Sequence, residues 1–219
     1  MNNFRNNIGF LFDLDGVIID SENEYSKIWA QINREFPTGV EDLEKNIKGG
    51  TLTKILNDHY DSEETRKSVA NRLHELEGGM HYEYLPHAEE FLIFLKEQRY
   101  PTVLVTSSDN EKMNHLWEQL PHLKDYFNFI ITGDLVKTSK PSPEGYLLGA
   151  SKIACNPKRC VVFEDSLQGV MAGQNAGALV VGVVGTLPKE KLAPYSHILI
   201  NSFDEIDFED LIQKLESNE

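Results

Sequence analysis

Ile8-Gly9-Phe10-Leu11-Phe12-Asp13-Leu14-Asp15-Gly16-Val17 is the stretch that decides the fold: a short apolar run that closes on two aspartates one residue apart, followed by glycine. A run of this length bounded by Asp and Gly reads as a buried strand, Ile8 to Phe12. Side chains two apart on extended chain face the same way, so Asp13 and Asp15 leave the strand end as a pair. That is the geometry of a nucleophile beside its acid/base partner. Asp13 can attack phosphorus to form an aspartyl-phosphate, while Asp15 protonates the leaving oxygen and later takes a proton from water.

Two other readings compete for the same residues. A calcium loop of the EF-hand type also begins Asp-x-Asp and finds Glu24 at its twelfth position, but its fifth and sixth positions, an oxygen ligand and a glycine, are Val17 and Ile18 here. A solvated turn after any strand would also use Asp and Gly. The remainder of the chain bears on the choice.

From residue 86 onward, helical periodicity alternates with short runs that are apolar throughout. Strands are expected at Val103 to Val105, Phe129 to Thr132, Cys160 to Phe163, Leu179 to Val184 and His197 to Ile200. Helices are expected at His87 to Gln98, Asn110 to Leu120, Pro143 to Ile153, Ser166 to Ala176 and Asp207 to Glu216. Such alternation predicts an α/β fold, a parallel sheet with helices on both faces and sites beyond the carboxyl ends of its strands. Between Ser21 and about Tyr84 there is no convincing strand. Helices are expected at Ser21 to Glu35, opened by a capping box of Ser21 and Glu24, and at Val40 to Ile47, Thr51 to Tyr60 and Ser62 to Tyr82. The expected organisation is thus a core of residues 1–19 and 86–219 with an all-helical insertion at 20–85.

The 219 residues carry a formal net charge of −14, with 35 acidic against 21 basic side chains, which argues against a protein that tracks a nucleic-acid backbone. No run approaches the length of a membrane span, and Met1 to Asn7 lacks the order of a secretory signal, so a cytoplasmic location is expected. Cys155 and Cys160 match neither a redox nor a zinc spacing and are expected to be buried thiols, and no histidine pair has helical zinc spacing. Small-molecule chemistry is what remains.

Four polar features fall at the predicted strand ends: Asp13 with Asp15, Thr106-Ser107-Ser108, Lys140-Pro141 and Glu164-Asp165-Ser166. Each alone is also a helix cap or a surface residue. Together they have an internal logic. Asp13, Glu164 and Asp165 repel one another and a phosphate dianion, so the set calls for a divalent cation, and all-oxygen ligands favour Mg2+. Thr106 can offer a hydroxyl and Ser107 a backbone N–H to the phosphate at a helix start, and Lys140 adds a positive charge.

These motifs resemble the haloacid dehalogenase-like superfamily of phosphohydrolases, in particular its sugar-phosphate phosphatase and beta-phosphoglucomutase group. The likeness runs through Phe12-Asp13-Leu14-Asp15-Gly16-Val17 to Asp20-Ser21, then Val105-Thr106-Ser107, Ser139-Lys140-Pro141-Ser142-Pro143-Glu144 and Phe163-Glu164-Asp165-Ser166. It implies a Rossmann-like core with a helical cap, Asp13 as nucleophile, Asp15 as acid/base, and magnesium held by Asp13, the Asp15 carbonyl and Asp165 with help from Glu164. The mutase pattern, however, has a histidine early in the first cap helix, a Lys-Gly-x-Ser-Arg stretch, and a lysine between the serine and asparagine after the second motif. Here those positions hold Tyr25, Lys48-Gly49-Gly50-Thr51-Leu52, and Asp109 between Ser108 and Asn110. Loss of these cations weakens any grip on a second phosphate, which favours a phosphatase over a phosphosugar mutase. Inorganic pyrophosphate as substrate and a non-catalytic binding protein are the further alternatives. Tyr25, Lys48, Ser108 and Asn110 are the candidates to touch the leaving group. The expected partner is a small phosphorylated metabolite, with no nucleic acid or membrane, and the chain is expected to be a monomer or weak dimer.

Overall fold

The computed structural model describes residues 7–47 and 50–217. Its elements in chain order are β1 (Gly9–Phe12), α1 (Glu22–Glu35), α2 (Leu43–Asn46), α3 (Leu52–His59), α4 (Glu63–Glu77), α5 (Ala88–Glu97), β2 (Thr102–Val105) and α6 (Asn110–Gln119). There follow β3 (Phe129–Ile131), α7 (Glu144–Lys152), β4 (Cys160–Glu164), α8 (Leu167–Asn175), β5 (Leu179–Val183), α9 (Lys189–Leu192), β6 (Ile198–Ile200) and α10 (Phe208–Ser217).

The strands form one parallel sheet in the order β3-β2-β1-β4-β5-β6. The chain builds outward from β1 to β3 and then returns across to β4, so the switch point lies beside β1, where ligands bind in sheets of this kind. Alternation along β1 explains the two-sided core. Phe10 and Phe12 face one layer, with Phe91 of α5 and Phe163 of β4, and the Phe12 and Phe163 rings stack at 4.7 Å. Leu11 faces the other layer with Val103, Val162 and Tyr146 of α7.

Helices α1 to α4 are inserted between β1 and α5, and the segments that lead out and back run side by side. Ile19 bridges Tyr84, the Asp20 N–H donates to the Glu83 carbonyl at 3.0 Å, and the Leu85 N–H donates to the Ile18 carbonyl at 2.8 Å. Ile28, Trp29 and Ile32 on α1 are buried, as their spacing predicts.

Three local expectations are corrected. Ser21 sits at the N-cap of α1 but makes no capping bond: its hydroxyl donates to Asp15, and Glu24 instead accepts from Lys27, so the predicted capping box does not form. The helix expected at Val40 to Ile47 shrinks to α2, because Asp42 adopts φ +51° immediately before it. The helix expected to reach Tyr82 stops at Glu77, ahead of Gly78-Gly79. Among the described residues no helix is long and apolar enough to cross a membrane, and both cysteines are buried free thiols.

Candidate active site

Parallel pairing of β1 with β4, in the register Phe12 to Phe163, continues one residue beyond the strand: the Asp13 N–H donates to the Phe163 carbonyl at 3.0 Å. That contact sets Asp13 beside the end of β4, where Glu164 and Asp165 follow. One oxygen from each of the three carboxylates lies within 4.8 Å of the others, and all three residues are buried. Lys140 enters from the loop before α7. Its ammonium donates to Asp13 Oδ1 at 2.7 Å, to Glu164 Oε1 at 2.5 Å and to the Val105 carbonyl at 3.3 Å. A lysine that precedes proline is thus no surface residue here; it is 8% exposed.

Glu164 is held from both sides. Oε1 also accepts from the Tyr146 hydroxyl at 2.6 Å, while Oε2 accepts from the Asp165 and Ser166 N–H groups at 3.2 and 3.3 Å and from the Ser166 hydroxyl at 3.1 Å. A Cβ on Gly169 would lie 1.8 Å from that carboxyl carbon, so the first turn of α8 admits only glycine above it.

One ammonium against three carboxylates leaves a deficit of two positive charges in a buried place. Asp13 registers it: burial and the Glu164 charge outweigh Lys140 and push its pKa up to about 7. A buried, all-oxygen, doubly negative cluster fits a divalent cation of the magnesium type; Asp13 and Asp165 are the carboxylates that could ligate it, while Glu164, with both oxygens taken by protein donors, adds its charge beside them.

Asp15 lives in different surroundings two residues on. Gly16, at φ +70°, turns the chain there, and a Cβ on it would meet Asp165 Oδ2 at 2.0 Å. Asp15 Oδ1 accepts from Ser21 and from Lys112 Nζ at 2.6 Å, and Oδ2 accepts from Lys112 at 2.5 Å and from Ser108 Oγ at 3.1 Å. Burial raises its pKa, but the Lys112 charge and these hydrogen bonds prevail and hold it below the usual carboxylate value. The pair therefore separates, with Asp13 pushed up and Asp15 held down.

Thr106, Ser107 and Ser108 follow β2 as expected. Thr106 is buried with its hydroxyl accepting the Ser108 N–H at 3.0 Å, and Ser107 and Ser108 line the cleft over Asp13 and Asp15, which has about 830 Å³ of empty space with its mouth included. The outer wall of that cleft comes from the inserted helices: Tyr25, Trp29, Leu52, Ile55 and Leu73, with Glu77 at the end of α4. Tyr25 reaches the cleft, but its hydroxyl donates to Glu77. Asn110 does not line the cleft: it is exposed, its backbone N–H donates to Asp134 at 2.8 Å and its side chain accepts from Thr132 at 3.3 Å. Lys48 lies outside the described residues.

Lys112 and Glu77 are the residues that the reading of the sequence missed, and each had a signal. A lysine in the first turn of a helix opposes the helix dipole and needs an acid, which Lys112 finds in Asp15. Glu77 continues the buried stripe Val69, Leu73 at four-residue intervals along α4, where a third apolar residue would be expected.

A profile of haloacid dehalogenase-like hydrolases matches residues 10–183. The phosphorylated carbohydrates phosphatase of Thermotoga maritima is 32% identical over 81% of this chain and 85% of its own length. Hexitol phosphatase A of Escherichia coli is 31% identical over 80% of this chain and 82% of its own. Among solved structures, beta-phosphoglucomutase from Clostridium difficile superposes with a TM-score of 0.78 at 26% identity, covering 95% of this chain and 97% of that one.

Proposed function

The chain belongs to the haloacid dehalogenase-like hydrolase family, and we propose that within it the protein is a magnesium-dependent phosphatase that cleaves a small sugar or polyol phosphate monoester through an aspartyl-phosphate. The observation that carries this reading is the division of labour between Asp13 and Asp15: the first faces Lys140 and the acidic pair, the second faces Lys112, Ser21 and Ser108. Two relatives are named for phosphorylated carbohydrates and hexitol phosphates, which supports the substrate class.

Asp13, Asp165 and the Asp15 carbonyl would hold magnesium, which would supply charge that neutralises the carboxylates and the phosphoryl oxygens. Glu164 already has both oxygens engaged by protein donors, so its part is to fix Lys140 and the start of α8 and to add negative charge to the site. Thr106, Ser107 and Lys140 receive the phosphoryl oxygens. Asp13 attacks phosphorus and the ester oxygen leaves with a proton from Asp15. Water then attacks the acylphosphate, and Asp15 takes its proton, returning Asp13 as carboxylate and releasing phosphate.

Lys112 and the hydrogen bonds to Asp15 favour its ionised form, the form needed in that second half. Arrival of a phosphate dianion raises its proton affinity and so favours uptake of the proton that the first half consumes. The inserted helices, within residues 20–85, act as a cap on a core of residues 1–19 and 86–219, excluding water and choosing the ester.

Likeness to a beta-phosphoglucomutase makes isomerisation the second reading. Leu52, Glu77 and Asp109 on the outer cleft oppose it, since a mutase must grip a distal phosphate. Rapid-quench intact mass should show one phosphate on wild type, located on Asp13, and none on Asp13→Asn. With beta-glucose 1-phosphate and glucose 1,6-bisphosphate supplied, free phosphate should exceed glucose 6-phosphate. A label on another residue, or efficient isomerisation with little release, overturns the proposal.

A further inference from the structure

Glu77 is 3% exposed, borders the cleft and has one oxygen, Oε1, fixed by the Tyr25 hydroxyl, while Oε2 has no hydrogen-bond partner among the described residues. A buried carboxyl oxygen without a donor is costly to maintain in a structure. The nearby cationic groups on α6 and α4, Lys112 and His74, are engaged elsewhere. Lys112 donates to both oxygens of Asp15 and lies 4.3 Å from the centre of the Tyr25 ring, and His74, one turn earlier on α4, is turned to Asp109 and Glu111 at 3.1 and 2.8 Å. Beside Glu77 the wall is apolar and aromatic, with Trp29 and Leu73 buried against the cleft.

We propose that Glu77, held in place by Tyr25, is the specificity-determining acceptor for the leaving group, and that it selects an uncharged polyhydroxylated ester over one with a second phosphate. This rests on the phosphatase reading of the site. The chemistry follows from what the wall offers. A sugar or polyol presents C–H surface to an aromatic and aliphatic face and O–H donors at its edge, and Oε2 accepts one of those donors. A second phosphate brings no donor and adds negative charge next to Glu77 and Asp109, while Lys112, the cation that lines the cleft among the described residues, is committed to Asp15. Few polar groups placed on an apolar wall are what orient a small ligand.

The test is a ratio, so that a general loss of activity does not count for it. Steady-state kcat/KM is measured for sorbitol 6-phosphate, for phenyl phosphate, which has no hydroxyl donor, and for fructose 1,6-bisphosphate. Glu77→Leu should lower the sorbitol phosphate to phenyl phosphate ratio about tenfold to a hundredfold, the loss expected for a hydrogen bond to a charged acceptor, and the change should sit in KM. Glu77→Gln, which preserves shape and hydrogen bonding but removes charge, should raise the relative acceptance of the bisphosphate at least threefold. An unchanged ratio in Glu77→Leu, equal losses on all three esters, or a wild-type preference for the bisphosphate overturns the inference. The same ratios read as Kd by calorimetry on Asp13→Asn protein, beside turnover by the protein with Asp13 intact, separate the two proposals: no turnover of any ester with Asp13 present, while the binding ratio still depends on Glu77, sinks the phosphatase, and turnover with a binding ratio that does not depend on Glu77 sinks the role of Glu77.

Discussion

The strand-end cluster and the helical wall of the same cleft treat charge in opposite ways. Around Asp13, Lys140 and Glu164 the ammonium has three acceptors and both oxygens of Glu164 are occupied. Across the cleft, on the wall that Glu77 shares with Tyr25, Trp29 and Leu73, one carboxyl oxygen has no hydrogen-bond partner among the described residues. The difference reflects what each region has to meet. A phosphoryl group is the same in every ester, so the groups that handle it are fixed in advance and buried on rigid strand ends. Leaving groups differ, so the surface that reads them keeps a polar atom for the ligand. Lys112 joins the two regions, since it sits on α6, pairs with Asp15 of the core and lies over the Tyr25 ring of the inserted helices.

The largest break of this division is Asp13→Asn, which should lower kcat by ~10⁴ or more, as expected when a covalent nucleophile is removed. Steady turnover of any ester by that variant would show that the core does not work as described. Asp15→Asn comes next. Its kcat should fall by ~10² to 10⁴, the worth of general acid–base catalysis, yet magnesium should still bind, because the ligand assigned there is a carbonyl. Calorimetric titration with Mg2+ checks this, and an affinity loss as severe as that of Asp165→Ala would contradict the separation of roles.

Lys112→Met should cost about 10- to 100-fold in kcat, the range for a lost charge-assisted hydrogen bond, with KM for sorbitol 6-phosphate changing less than about threefold. If KM rises and kcat holds, Lys112 belongs to the reading wall and the comparison must be redrawn. The smallest effect is thermal. Saturating Mg2+, at about 100 times its Kd, should stabilise the protein by about 2.7 kcal/mol, or roughly 5–10 °C in Tm for a chain of this size. Asp165→Asn should abolish the shift in a melting experiment; an equal shift in that variant would place the cation elsewhere.

Much of the first region was legible because it is local in sequence. Asp13 and Asp15 follow β1 directly, Thr106 to Ser108 follow β2, and Glu164 to Ser166 end β4, so recognising the strands was enough to collect them at one edge. Lys140 was legible by its motif, and its burial was not. The second region was read less well. Tyr25 was placed at the cleft, but its bond to Glu77 could not be anticipated from α1 alone. Ser21 looked like a helix cap, and its hydroxyl instead donates to Asp15, six residues back and on the core side, making no capping bond to α1.

The amino-acid sequence by itself determined the alternation of apolar strands and helices, the position of the helical insertion and which polar side chains stand at the strand ends. Those properties depend on hydrophobic periodicity and on neighbours a few residues away. Tertiary structure alone decided which charges meet. Lys140 and Asp13 are 127 positions apart, Lys112 and Asp15 97, and Tyr25 and Glu77 52. Contacts across such separations depend on sheet order and on how α1, α4 and α6 pack, and no local pattern encodes which buried acid receives a lysine and which is left to accept from a ligand.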